Sequence, residues 1–350
     1  MQILSKATSA ALVLAVLTFC WPPPADSQGT NDKQGPTPII WRDPGDIAAR
    51  DLRYGPGAAH LAPVAPFTFV EEDKSGVSPK FIVIDSRGVK WSVKLGEEAQ
   101  AETVATRLVW SVGYFAEEAY YLDRVQIRRL PKLSRGMEYV GRRGTVMGAR
   151  FEPRRDHIKR GETWDWDKNS FQNTRELSGL KVLMILLNNY DTRKDNNRIL
   201  HVNDPTTGNI EAQHTVVDLG ATLGKAGGLG GTRSKNNLED FLSTKFVRGV
   251  EDDGSVEFDY DTRPTKLGIL SIVYPPYYRS QVKKEKTMRG IPVEHARWIG
   301  SLLSQLTEQQ LHDAFNAASY DRSTTRSYVN ALRERISQLT RLDADAVSRP

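Results

Sequence analysis

From Phe67 onward the chain alternates short apolar runs with turn signals. "FTFVEE" (67–72) and "FIVID" (81–85) read as strands around the polar loop "DKSGVSPK", and "SRG" turns into a third strand, "VKWSVKL" (89–95). An amphipathic helix follows in "EEAQAETVATRLVWSVG", where Ala101, Val104, Ala105, Leu108 and Val112 recur at helical spacing and Gly113 is a stop. "AYYLDRVQIRRL" (119–130) is a further strand. "TRELSGLKVLMILLNN" (174–189) is apolar nearly all round, which predicts a helix buried inside a large lobe. "NRILHV" and "AQHTVVD" flank the turn "NDPTTGN" as a hairpin, and a glycine-rich run, "GKAGGLGGTR", precedes a mostly helical last third. In that third, Thr307 and Gln310 have the spacing of a capping box. Strands with one helix, then helices around a hairpin, predict an α+β fold in two lobes.

Composition places this pattern in a globular chain: 350 residues, 39% hydrophobic and 26% charged. Its net charge of +5 is mild, but basic residues crowd the segment from Arg124 to Arg160. That segment is either a solvated basic face or a docking face for an anionic partner, such as phosphate or lipid headgroups. No nucleic-acid-binding motif accompanies it. Residues 1–27 have the form of a signal peptide: Lys6, the apolar "ALVLAVLTF", and the small-x-small site Ala25 to Ser27. Phe19 argues against the alternative, a lipid anchor at Cys20. The apolar core is too short for a permanent span and no later segment qualifies, so an exported chain without a transmembrane segment is expected. Cleavage would also remove Cys20, the only cysteine, leaving no disulfide or thiolate chemistry. Residues 28–60, rich in Gly, Pro and Asp, read as an extended tail or linker.

The chemistry concentrates in "NNYDTRKDNNRIL" (188–200). A turn centred near Thr206–Thr207 places Asn196 opposite Asp218, and directly paired residues of a ladder lie about 4.5–5.5 Å apart. An amide and a carboxylate at one end of a hairpin suit Mg²⁺ (or Mn²⁺), with phosphates and water completing the shell. Asp191 stands five residues before Asn196, in the loop that leaves the buried helix. Upstream, Lys94 ends the third strand, and Glu102 lies in the following helix, with Glu98 one turn earlier as its alternative. Asp-x4-Asn, a hairpin, then "VVDLG" is the order of a phosphoryl-transfer core. Other chemistries are excluded. Arg193 occupies a ligand position of the EF-hand reading. "GATLGKA" lacks the Ser/Thr of a P-loop, the six histidines form no His-x-x-x-His pair, and there is no Gly-x-Ser-x-Gly elbow. Trp164 and Trp166 either line a substrate groove or pack at a lobe edge.

"SGVSPKF", "VKWSVKL", the glutamate of "AETVATRLVWSVG", "YDTRKDNNRIL" and "VVDLG" together resemble the ordered motifs of HipA-type kinases. More remotely they are similar to phosphoinositide lipid kinases and secretory-pathway kinases, all of protein-kinase-like fold. The resemblance implies a bilobal domain over 61–345, with an N-lobe (about 61–160) of antiparallel sheet plus one helix and a larger helical C-lobe (about 161–345). It implies ATP with Mg²⁺ as cofactors and an acceptor hydroxyl on a protein, sugar or lipid. By the same resemblance Gly76, Ser78 and Lys80 cover the nucleotide, Lys94 contacts phosphate, Glu102 pairs with it, Asp191 is the catalytic acid/base, and Asn196 and Asp218 bind metal. The chain departs from ordinary kinases in its single-glycine loop and in Asn189-Tyr190 before the aspartate. A pseudokinase scaffold, or nucleotidyl transfer on the same fold, remains open from the sequence.

Overall fold

The computed structural model describes residues 35–155, 158–203, 208–227, 233–262 and 275–342. The segment expected to be a signal peptide, with Cys20, the expected Thr206–Thr207 turn and the centre of the glycine-rich run lie outside them.

The segment expected to be a linker is built into the fold from Thr37 onward. Strand β1 (Thr37–Ile39) pairs in parallel with Glu211–Gln213, and Ile40, Ile47 and Leu52 are buried in the main core. Gln310 donates from Nε2 to the carbonyls of Ile47 (2.8 Å) and Arg50 (2.7 Å). Its high Gly, Pro and Asp content reflects 3₁₀ turns rather than freedom. Asp46, for example, caps the turn at Ile47–Ala49.

Five strands close a barrel: β2 (Phe67–Asp73), β3 (Lys80–Ile84), β4 (Lys90–Leu95), β5 (Tyr120–Arg128) and β6 (Thr145–Pro153), in the order β2-β3-β4-β6-β5. Neighbours are antiparallel except β2 and β5, whose parallel pairing (Phe67↔Ile127) closes the ring. Phe67, Phe81, Trp91, Val93 and Phe151 fill it. Strand β6 was not expected: its sequence, "TVMGARFEP", mixes apolar and charged residues because some of the charged ones face an internal cleft.

Helix α1 (Glu98–Ser111) follows β4 and is buried on nearly every face, not amphipathic as expected. One side meets the barrel, while Ala101, Val104, Ala105 and Leu108 join the larger core of the second lobe. That lobe begins after β7 (Lys159–Arg160) with α2 (Arg175–Leu186), which is buried as its sequence predicts. The hairpin of β8 (Asn197–Asn203) and β9 (Ile210–Val216) extends from it, in a sheet of order β1-β9-β8-β7. After α3 (Leu238–Ser243) a small hairpin, β10 (Val247–Val250) and β11 (Val256–Phe258), interrupts the helices. Then come α4 (Pro275–Thr287), α5 (Val293–Leu303), α6 (Glu308–Asn316) and α7 (Arg322–Thr340). The Thr307–Gln310 capping box is present at the start of α6. Trp164 and Trp166 are buried, with Trp164 Nε1 donating to the Thr215 carbonyl at 3.1 Å, so they pack rather than line a groove. The fold is thus α+β in two lobes, and among the described residues no helix is long and apolar enough to cross a membrane.

Ile47→Ala separates a linker from a packed segment. Urea denaturation should show a loss of about 2–5 kcal/mol, whereas a solvated linker residue would change stability by less than about 0.5 kcal/mol.

Candidate functional site in the cleft beside the barrel

Lys94 sits near the end of β4, paired on one side to Lys80 of β3 and on the other to Arg150 of β6. A strand flanked on both sides has little open edge, and Lys94 is 4% exposed. Its Nζ lies 2.8 Å from Glu98 Oε2, 3.0 Å from Glu102 Oε2 and 3.3 Å from Asp218 Oδ1. Glu98 and Glu102 are one turn apart on α1, so both reach the same ammonium. The choice between them therefore does not arise. Burial works against the charged amine, but Glu102, Asp218 and Glu98 outweigh it and the Lys94 pKa rises. Burial likewise opposes the Glu98 carboxylate, yet Lys94, Lys235 and Ser78 bring its pKa down to about 2. For Glu102, burial wins and raises the pKa against Arg150 and Lys94. With three carboxylates around Lys94 and two cations on Glu102, the ionised pair leaves fewest charges uncompensated.

The other side of the cleft comes from the end of α2 and the hairpin. Asn188 takes a left-handed turn (φ 54°) and donates to the Gly224 carbonyl at 2.7 Å. Arg335 of α7, buried and without an ion pair among the described residues, donates to Asn188 Oδ1 (3.2 Å) and to the Leu186 carbonyl (2.7 Å). Tyr260 donates its hydroxyl to the Asn189 carbonyl. These contacts aim the loop at Asp191. Asn196 Nδ2 donates to the Asp191 carbonyl at 2.8 Å, folding the Asp-x4-Asn segment onto itself. The register is offset by one from the expected pairing: Val217 N donates to the Asn196 carbonyl at 2.9 Å, so Asn196 faces Val217 and Asp218 is the next residue. Asn196 and Asp218 nonetheless line one cavity with Lys94.

Asp191 does not touch that lysine. Its two oxygens accept from Arg193 Nε (2.7 Å) and Nη2 (2.8 Å), and Lys284 of α4 lies 3.7 Å away. Burial raises its pKa, but Arg193 and Lys284 more than reverse this, and the carboxyl is held below its usual range. Arg193, only two residues after Asp191, was not singled out from the sequence. A cation at that spacing was the available signal.

The loop before β3 forms the roof. Ser78 Oγ donates to Glu98 Oε2 at 2.7 Å, and Lys80 Nζ reaches Ser75 Oγ at 3.3 Å. Gly76 has φ 67°, a conformation side chains rarely adopt. Its carbonyl and that of Val77 accept from Arg135 (2.7 and 3.0 Å), which reaches over from the β5–β6 loop. At Gly220, two residues after Asp218, a Cβ would stand 2.8 Å from Glu98 Cβ, so only glycine allows the approach. Gly76, Ser78, Lys80, Lys94, Glu102, Asn196 and Asp218 all border a cavity of about 180 Å³; Asp191 is the one predicted residue outside its lining.

A row of ion pairs, buried at Glu102, Arg150 and Glu152 and open to solvent at Arg160, deepens the cleft, and sequence reasoning missed it. Arg150 Nε lies 3.2 Å from Glu102, Arg150 Nη2 lies 3.1 Å from Glu152, and Arg160 joins Glu152 to Glu117, the latter at 2.7 Å. Burial and the neighbouring Glu152 push the Glu117 carboxyl up to about 8. A larger cavity of about 610 Å³ lies against this row and shares Glu117, Glu152, Arg154 and Arg160 with the first, but has none of the predicted residues in its wall.

No family model matches the chain, and no curated protein matches its sequence. Among solved structures, it is similar to the Helicobacter pylori proinflammatory kinase CtkA, with a TM-score of 0.43 and 13% identity over 79% of this chain and 97% of that one. It is also similar to the Golgi casein kinase, with a TM-score of 0.29 and 10% identity over 79% of this chain and 74% of that one. Neither value is high enough to assign a family. The functional reading rests on the cleft alone.

The depressed Glu98 pKa has a sign. Its ionic contacts stabilise the fold above the unfolded value of 4.5 and are lost as pH falls through about 2. Glu98→Gln should therefore be less stable than the parent chain at pH 7. Melting curves should show that difference shrinking across the interval from pH 4.5 to about 2.

Proposed function

We propose that this chain is a phosphotransferase that moves a phosphoryl group from ATP to a hydroxyl-bearing acceptor, and that it works after export. The observation that carries this reading is the meeting of Lys94 with Glu98, Glu102 and Asp218 at 2.8–3.3 Å, drawn from a strand, a helix and a hairpin exit. An ammonium held by helix glutamates beside a hairpin carboxylate is the arrangement that orients donor phosphates. Lys94 contacts those phosphates, and Glu98 and Glu102 keep it in place.

The donor set fits Mg²⁺. Asp218 offers a carboxylate that is 44% exposed, and Asn196 keeps its Oδ1 free of the bond made by Nδ2. Both are hard oxygen ligands, and Mg²⁺ binds through few protein ligands, leaving room for phosphates and water. Among the described residues no cluster of three or more His, Cys, Asp or Glu makes an all-protein cage. The metal would neutralise charge on the transferred group.

Asp191 orients the acceptor hydroxyl. Its low pKa makes it a weak base, which suits a loose transition state in which the proton leaves late. Two oxygens have about four lone-pair positions, so the Arg193 clamp still leaves room for the hydroxyl. Arg193, between Asp191 and Asp218, adds positive charge where the phosphoryl group passes. Ligand sites usually span about 300–1,000 Å³. The cleft must therefore widen to admit a nucleotide, and the roof loop held by Arg135 is the part that lifts.

Purified protein should gain stability with Mg-ATP or Mn-ATP, by about 2.7 kcal/mol at a hundredfold excess over Kd, seen as a rise of several degrees in Tm. Asp218→Asn should lose most of that rise. No shift with any nucleotide and metal would leave a scaffold protein. ATP labelled at the α- or γ-phosphate then separates nucleotidyl from phosphoryl transfer. Arg135→Ala, which frees the roof loop without touching the reacting groups, should raise the nucleotide KM several-fold and leave kcat within about twofold.

A further inference from the structure

The basic segment splits into two populations. Arg135, Arg150, Arg154, Arg155 and Arg160 are paired with backbone carbonyls or carboxylates. The side chains of Arg124, Arg128, Arg129, Lys132, Arg142 and Arg143 are exposed and make no ion pair or hydrogen bond among the described residues. Between Asp123 and Met147 the chain has seven basic residues and two acidic ones, Asp123 and Glu138.

Three of these cations, Arg124, Arg128 and Arg143, lie at one strand face. In β5, Val125 and Ile127 point into the barrel, so Arg124, Gln126 and Arg128 point out. Gln126 Nε2 donates to the Arg143 carbonyl, which brings that end of the β5–β6 loop beside the same strand face. Met147, directly opposite Arg124 in the ladder, is exposed, as is Met137 in the loop. Beside the strand runs an open groove of about 580 Å³, with Pro63, Pro66 and Leu122 in its wall and Arg124 and Arg128 among the residues that line it.

We infer that this outer face of the barrel docks on an anionic phospholipid surface. A phosphate-bearing amphiphile satisfies both halves of the observation: headgroups neutralise the unpaired arginines, while the groove and the two methionines meet its apolar part. An acidic polypeptide would answer the charge but leave the apolar groove and methionines unexplained. The same loop contacts the roof of the cleft through Arg135, so a docked bilayer lies against one wall of the candidate site.

The purified chain should co-sediment with vesicles of phosphatidylcholine mixed with phosphatidylglycerol and not with phosphatidylcholine alone, and added salt should weaken the binding. The triple variant Arg124→Glu, Arg128→Glu, Arg143→Glu should reduce partitioning on the order of a hundredfold. The matched triple Arg289→Glu, Arg322→Glu, Arg326→Glu, on exposed helical-lobe positions, should bind as the parent does, and both should melt normally. Equal partition into neutral vesicles, undiminished binding by the first triple, or preferential capture by poly-glutamate overturns the inference. No nucleotide is present, so failure here is distinct from failure of the phosphotransferase reading.

Discussion

A single ammonium group organises the cleft. Lys94 is buried, and a buried charge is tolerated only where opposite charges and hydrogen bonds compensate it. Glu98 and Glu102 answer from α1 and Asp218 from the hairpin, so the barrel, the helix and the second lobe are tied at one point. Removing Lys94 would leave Glu102 held by Arg150 and Glu98 by Lys235 and Ser78, so the three elements would lose their common contact. Register follows from this: β4, α1 and the segment after β9 are each held where their charged side chains meet.

The compensation continues inward. Glu102 is shared between Lys94 and Arg150, and the row through Glu152 and Arg160 ends at Glu117, beside the turn that follows α1. Such a row contributes little net stability compared with apolar packing of the same volume. Its effect is directional, because each member has few geometries that satisfy its neighbours. It also makes the inner cleft polar, and anything that enters must exchange contacts with arginine and glutamate rather than with an oily wall. Arg335 does similar work at the far side. It holds the end of α2 through the Leu186 carbonyl and the Asn188 amide, and α3 through the Phe241 carbonyl, while stacking at 3.8 Å over the Phe241 ring.

Periodic elements were legible. The three strands from Phe67 to Leu95, the buried α2, the hairpin around the turn, and the Thr307 cap all follow from alternation, all-round apolarity and local hydrogen-bond chemistry. The meeting of Asn196 and Asp218 at one cavity was legible too, because a hairpin's spacing nearly determines distance, whereas Asp191 lies outside that lining. Strand β6 and the packed segment after Thr37 were not. Arg150 and Glu152 are read as solvent-facing by any local rule, and they turn inward only because the closed barrel pairs them with Lys94 and Ser92. The Gly- and Pro-rich run after Thr37 has little periodicity, and its burial depends on Gln310, some 260 residues away.

Sequence alone therefore determined which residue types are available and which neighbours along the chain act together, since helix and strand periods and turn chemistry are short-range. It marked the cysteine-free body, the basic segment and the order of the motifs. Tertiary structure decided which side of each charged residue meets protein and which meets water. It divided the arginines of 124–160 into paired and unpaired sets, gave Lys94 both glutamates instead of one, and brought Lys284 to Asp191. The reason is electrostatic: the fate of a charged side chain depends on the partner across space, and only the closed fold brings that partner within 3–4 Å.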